Sequence, residues 1–308
     1  MSMQENKLKN YALLHFIIFI WGFTAILGAL ITIEAVPLVW FRMGLAVLLI
    51  AVYFLLRKKS FKLDRKGVVK FLLTGIIIAL HWIFFFKAIK ISNVSVALVT
   101  MGTGAFFTAL IEPFFFKRKI KPVEIILGLV VVLGLYIIFD NFEVAQYKVG
   151  VIYASIASFL GALFAVLNGL YVKDYEADVI SLYQLLFGVL FVTGYLLYLG
   201  SFNAAFFQLP QLDWVYLFIL SSICTAYAFI ASVEVMRYIS PYTFMLTINL
   251  EPIYAILLAL FIFGEKEKMN SEFYYGAFVV LFVVLLNGIL KNKTTLKKKF
   301  SRKTIDKN

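Results

Sequence analysis

The sequence predicts an all-α integral membrane protein, and three observations carry that prediction. Of its 308 residues, 63% are hydrophobic and only 15% are charged, whereas a soluble domain of this size carries about a quarter charged residues. The apolar residues gather into ten long runs, and about 20 residues at 1.5 Å rise cross a hydrocarbon core of about 30 Å. Lipid offers no partner to backbone N–H and C=O groups, so a spanning segment must be a helix or a strand of a closed barrel. These runs are too long and too uniformly apolar for barrel strands.

The elements follow in order along the chain. The first run, Tyr11 to Ile33, lacks a small-residue cleavage site and is long enough to span, so it is expected to remain as a helix and not to be removed as a signal. The second, Pro37 to Leu56, ends where a basic stretch begins at Arg57. The third, Gly67 to Ile89, follows that stretch and stops at "KISN". The fourth, Val94 to Phe116, is closed by Lys117, Arg118 and Lys119, and the fifth, Val123 to Phe139, by Asp140. The sixth, Val149 to Val172, lies between Lys148 and Lys173, and the seventh runs from Val179 to Leu199. The eighth, Trp214 to Met236, stops at "RYISP"; the ninth runs from Pro241 to Phe263, and the tenth, Glu272 to Leu290, leads into a Lys-rich tail.

Orientation follows from the basic residues of the short loops. With a cytoplasmic N-terminus, 23 Lys and Arg residues fall on the inner side and 4 (Lys90, Lys148, Lys266 and Lys268) on the outer. Both termini are therefore expected inside. The net charge of +12 is a topology signal and a contact for anionic lipid headgroups, and needs no nucleic acid. The single cysteine, Cys224, excludes intrachain disulfides and thiol metal sites.

An internal repeat organises the runs. Shifted by 147 residues, Gly75 to Phe116 lies on Ser222 to Phe263 without a gap, so that Ala79 meets Ala226, Lys90 meets Arg237 and Thr100 meets Thr247. The breaks at 90–93 and 237–241 fall in register. Residues 1–145 then form a first five-helix half, residues 146–290 a second, and 291–308 a basic cytoplasmic tail. Five is odd, so the second half is inverted relative to the first. Inverted repeats are an architecture of secondary transporters, with substrate near the midplane between the halves.

Helices one and two read "WGFTAILGALITIEAVPLVWFRMGLAVLL" and helix nine reads "LEPIYAILLALFIFGEKEK". Both resemble signatures of the drug/metabolite transporter superfamily, in its ten-helix EamA-like branch, over about Tyr11 to Leu290. The resemblance implies a cavity formed mainly by helices one, three, four, six, eight and nine. It also implies export of small metabolites such as amino acids, or of drug-like amphipaths, across a bacterial inner membrane. The halves differ where Leu160-Gly161 stands near Trp21-Gly22, Gln184 in place of Arg42, and Gly104 in place of Glu251.

Glu251 is the residue that most needs a reason. It is the eleventh residue of its run, and an ionised side chain at the bilayer centre costs about 2.5–3.5 kcal/mol against about 0.3–0.6 gained per Leu, Ile or Phe. It should face protein or water, either as a buried strut between helices or as a cavity carboxylate that meets a substrate amine or takes up protons. At spacing four it shares a face with Thr247, and Thr100 holds the matching position in helix four. Pro252 behind it cannot donate to the carbonyl of Ile248.

Trp21, Asn249 and Tyr254 are further candidate cavity residues, as is His81 midway along helix three with Phe85 on its face. Lys87 is rotated away and can snorkel to the interface. Its repeat mate Glu234 falls at the opposite end, so the two would guard different mouths. Arg42 is grouped with Lys87 and Glu234 as a gating or coupling charge, or else is an interfacial residue that snorkels or pairs with Glu34, and Glu112 is read as a solvated partner of the basic residues after it. The stripe Ala157, Gly161, Ala165 and Gly169 reads as close helix packing.

No phosphate loop, His-Glu-x-x-His or Gly-x-Ser-x-Gly motif is present. No enzyme activity, cofactor or metal is therefore expected, and the expected partners are lipid and a small-molecule substrate. A homo-oligomer is not indicated. The expected function is secondary transport by alternating access, with proton coupling an option. The alternatives are a passive facilitator, a phosphometabolite exchanger of the same fold, or an intramembrane lipid enzyme.

Overall fold

In the computed structural model, residues 3–120, 122–139 and 147–266 are described, together with 271, 274–279, 282, 283 and 286. Among the described residues every regular element is helical. Helices α1 (Met3–Leu30), α2 (Ala35–Leu56) and α3 (Arg65–Ile91) are followed by α4 (Val94–Met101), α5 (Gly104–Phe116) and α6 (Pro122–Phe139). The chain continues through α7 (Lys148–Tyr171), α8 (Ala177–Tyr198), α9 (Gln211–Ser221) and α10 (Ala228–Val235) to α11 (Pro241–Ile248) and α12 (Glu251–Phe263).

Among the described residues, eight segments are long and apolar enough to cross a membrane, counting α4 with α5, α9 with α10, and α11 with α12 as single spans. The expected fifth span corresponds to α6. Most of the expected tenth, Glu272 to Leu290, and all of the basic tail lie outside the described residues.

Two expected spans are broken at mid-depth. Glycine or asparagine begins each break: Gly102 and Thr103 separate α4 from α5, and Asn249 and Leu250 separate α11 from α12. The chain tightens there into three-residue turns, with Gly102 N–H donating to Val99 O at 3.0 Å and Leu250 N–H to Thr247 O at 3.0 Å. Threonines bend the preceding turns by donating back to their own helix, Thr100 Oγ1 to Val96 O and Thr247 Oγ1 to Thr243 O, both at 2.8 Å. Pro252 lacks the N–H that would otherwise donate to the carbonyl of Ile248, the last residue of α11. Adding 147 to the bounds of α4 and α5 (94, 101, 104 and 116) returns 241, 248, 251 and 263, the bounds of α11 and α12. The N-caps correspond too, Asn93 accepting from Val96 N–H and Ser240 from Thr243 N–H.

The broken helices cross-pack, α4 against α12 and α5 against α11. Around them α3 packs on α7 and α8, α2 on α8, and α1 on α12. Small residues permit the closest approaches. A Cβ on Gly75 would lie 2.6 Å from Gln184 O and 2.9 Å from Gly188 N, so α3 and α8 meet backbone to backbone. In the α7 stripe, Gly161 faces the His81 ring and Gly169 faces Pro241.

Glu112 departs from its expected solvated position. It is buried; its Oε2 accepts from Tyr242 N–H at 3.1 Å, and its Oε1 lies 3.4 Å from Arg118 Nε. A carboxylate at the start of α11 complements the exposed N–H groups and partial positive charge of a helix N-terminus, which explains why it points inward.

Side chains also tie the ends of the bundle. At the end carrying the α2–α3 loop, Lys59 pairs with Glu176 at 2.7 Å and with Asp178, and Tyr175 donates to Asp64 at 2.9 Å. At the other end, the buried Asp213 accepts from Thr32 N–H at 3.0 Å and Thr32 Oγ1 at 2.7 Å.

Candidate functional site

A cavity of about 900 Å³, its open mouth included, is lined by residues of α1, α2, α3, α4, α7, α10, α11 and α12. These are the helices named from the resemblance, with α2 added. Its walls are largely aromatic and aliphatic, Phe164 and Phe229 packing 5.4 Å apart and Trp21 meeting Phe244 edge-on at 6.2 Å. Against that apolar background a few polar groups are placed individually, which is the composition of a small-molecule site.

Glu251 borders the cavity at the first residue of α12. The break delivers it there: ending α11 at Ile248 and restarting at Glu251 puts the carboxylate on a helix N-terminus, where the dipole favours it by about 0.3–1 kcal/mol. Among the described residues, none hydrogen-bonds or ion-pairs within 4 Å with its carboxyl group, and the charge that acts on it is that of Arg42 on α2. Asn249, in the break itself, is 2% exposed and its Nδ2 has no partner.

Arg42 occupies a different place from the one expected. It is 1% exposed and lines the cavity, while Glu34 is exposed and unpaired with it. Its guanidinium carbon sits 3.8 Å from the centroid of the Trp82 ring, and its Nε donates to Thr225 Oγ1 at 2.7 Å. Burying an ion costs several kcal/mol. A desolvated cation–π contact returns about 2 kcal/mol and a hydrogen bond to a charged group about 1.5–3 kcal/mol, and the Glu251 carboxylate acts on the charge from beyond ion-pair distance. Nη1 keeps no partner at all.

Thr225 is presented by a π-helical segment, Ser222–Tyr227, between α9 and α10. Its hydroxyl donates to Leu220 O five residues back at 2.7 Å, so its oxygen is set to accept from Arg42. The same segment offers the Cys224 carbonyl to Trp21 Nε1 at 3.1 Å. Such single-turn widenings are frequent at functional sites. The Cys224 thiol itself is 2% exposed, with Sγ 3.7 Å from Ile20 O.

His81 lines the cavity, its Nδ1 2.7 Å from Ala157 O. A carbonyl can only accept, so Nδ1 carries the proton and Nε2 of the neutral ring is an acceptor. Phe85 also lines the cavity, one turn along α3.

The remaining candidates lie elsewhere. Thr100 and Thr247 spend their hydroxyls on their own helices, and Tyr254 packs its ring 5.8 Å from that of Phe19; none lines the cavity. Lys87 is exposed, its Nζ 5.2 Å from the Tyr153 ring, and Glu234 pairs with Arg237 at 3.3 Å. Trp82, Thr225, Phe229 and Ser232 belong to the site surroundings without having been singled out. Trp82 had a signal in its place beside His81. Thr225 had none, because its partner is 183 residues away.

Fold and cavity together define a multi-pass helical membrane protein with a small-molecule site between its helices. The chain belongs to the EamA-like transporter family, which matches it twice, over residues 9–140 and 148–289. That family is one of membrane transporters. The chain is 34% identical over 134 residues to the pseudopaline exporter CntI of Pseudomonas aeruginosa, an alignment covering 44% of this chain and 45% of that protein. The chain thus matches less than half the length of that relative. It is 23% identical to an uncharacterized transporter of Clostridium kluyveri over 270 residues, 85% of this chain and 84% of that one. A solved crystal structure that is 13% identical superposes with a TM-score of 0.68 over 92% of this chain and 97% of its own, a likeness of fold.

Proposed function

We propose that this protein is a ten-helix secondary transporter that exports a small amphiphilic metabolite bearing an amine, by alternating access. Residues 1–145 and 146–290 act as two inverted halves with both termini cytoplasmic. The 23-to-4 distribution of basic loop residues supports that topology. The shared 147-residue register of the broken helices and their crosswise packing support the inverted pairing.

The observation that carries the reading is Glu251, an unpartnered carboxylate facing an aromatic-walled cavity at mid-depth. An intramembrane acid in that setting marks a substrate or proton path. It meets a substrate ammonium when loaded and holds a proton when empty, so a proton gradient is the coupling we assign. Export as the direction is supported by the relative named for export of pseudopaline.

The test is a panel of amines, amino acids and drug-like amphipaths on proteoliposomes, with and without an imposed pH gradient, for wild type and Glu251→Gln. Wild type is expected to concentrate its substrate only under the gradient, and Glu251→Gln to lose that accumulation. Unchanged transport and unchanged gradient dependence in the variant would sink the assignment.

A further inference from the structure

The cavity holds a second charge that the role of Glu251 leaves unused. Arg42 is 1% exposed, and its Nη1 has no hydrogen-bond partner. Its planar guanidinium is fixed from two sides, by the Trp82 face beneath it and by Thr225 on Nε. That leaves Nη1 buried beside the cavity with no acceptor. Asn249, 2% exposed and lining the same cavity, likewise has an Nδ2 without a partner. A buried donor left unmade is costly, and a folded protein rarely keeps two in one cavity unless something arrives to accept from them.

We propose that Arg42 and Asn249 form a carboxylate-binding subsite, so that the transported molecule carries an anionic group as well as the amine assigned to Glu251; only the amine part rests on the proposed function. Arginine suits this task better than lysine, because its fork matches the two oxygens of a carboxylate. Glu251 does not take that place itself: the two charges act on each other across the cavity they both line, but they make no hydrogen bond and no ion pair within 4 Å. The two are therefore positioned to receive the two ends of one zwitterion. The subsite is single. The repeat counterpart of Arg42 is Gln184, which is fully buried and donates to Thr74 Oγ1 at 2.9 Å and Asn168 Oδ1 at 2.6 Å, with no place on the cavity wall.

The chemistry also explains the position of Trp82. A guanidinium resting on an indole face keeps its charge while losing water, so a carboxylate gains more from it than from a solvated arginine. It excludes purely cationic amphipaths as the best substrates, because they would leave Nη1 and Nδ2 unmatched.

The experiment measures binding to the full-length protein in lipid nanodiscs by intrinsic tryptophan fluorescence, using three probes of similar shape. Phenylalanine carries both charges, phenethylamine only the amine, and 3-phenylpropionate only the carboxylate. Phenylalanine is expected to bind wild type about tenfold more tightly than phenethylamine, the worth of one charged hydrogen-bond set. Arg42→Gln is expected to erase that preference while changing phenethylamine affinity by less than about threefold. Asn249→Ala removes the second donor without touching a buried charge, and is expected to reduce the preference by about threefold; it decides the matter if Arg42→Gln does not fold.

Equal binding of phenylalanine and phenethylamine by wild type would overturn the subsite. So would equal weakening of both by Arg42→Gln, or the absence of saturable binding of either carboxylate probe. Glu251→Gln separates this result from the function it accompanies. If that variant still prefers phenylalanine to 3-phenylpropionate as wild type does, the amine role of Glu251 fails while the carboxylate subsite stands.

Discussion

Replacing Gly75 by alanine tests whether the contact between α3 and α8 sets the position of the cavity wall. The added Cβ would fall 2.6 Å from Gln184 O, 2.9 Å from Gly188 N and 3.0 Å from Phe187 Cβ. Two of these three atoms are backbone and cannot rotate aside, so the helices must separate. Overpacking of this kind costs about 1–3 kcal/mol, while alanine recovers about 0.8–1.0 kcal/mol of helix propensity that glycine forfeits. The net loss is about 0–2 kcal/mol. Gly194, further along α8, has nothing within 4 Å of its would-be Cβ, so Gly194→Ala gains the propensity and meets no clash. The two variants should differ by about 1–3 kcal/mol, which at about 2–4 °C per kcal/mol is about 2–12 °C in Tm.

Thermal unfolding of both proteins in one detergent measures that difference. Because α3 also carries His81, Trp82 and Phe85, Gly75→Ala should lower transport as well as Tm, and Gly194→Ala should lower neither. A Gly75→Ala protein as stable as Gly194→Ala would refute the backbone contact.

Glu112→Ala removes the buried acceptor that anchors the start of α11; loss of a charged hydrogen bond of this kind costs about 1.5–3 kcal/mol, visible as a lowered Tm, and Glu112→Gln should recover part of it. Lys59 holds the Glu176 carboxyl below its ordinary range, chiefly by hydrogen bonding. A depressed carboxyl contributes stability above its unfolded pKa, ~4.3, and loses it as pH falls through the lower folded value. The small advantage of wild type over Lys59→Met should therefore be steady at neutral pH, shrink in acid, and shrink also at high salt. An advantage that grew on acidification would contradict the pairing.

Eight of the ten expected spans were legible from apolar length alone, because lipid imposes one requirement on every spanning backbone. The breaks inside α4–α5 and α11–α12 were half legible. Pro252 pointed to an unpaired carbonyl at Ile248, but the turn at Gly102–Thr103 has no proline, and threonines that bend a helix look the same in sequence as threonines that line a face. Glu251 and His81 could be placed at mid-depth by counting along their helices. Counting failed for Arg42, seven residues into α2, because depth along a helix says nothing about which neighbour waits there. Trp82 and Thr225 supply what lipid could not, and both are distant in sequence. Glu112 misled for the same reason, its neighbours in sequence being basic while Tyr242 N–H, which fixes it inward, lies 130 residues on.

The lone thiol, sealed at 2% exposure beneath the Ile20 carbonyl, makes this chain close to a ready-made background for labelling. Probe-bearing cysteines introduced at the exposed Lys62 and Lys173, or at the exposed Glu34 and Gln211, would report the separation of each end of the bundle through the transport cycle. The native sulfur would stay silent, so the cycle could be followed without first rebuilding the π-helical turn that positions Arg42.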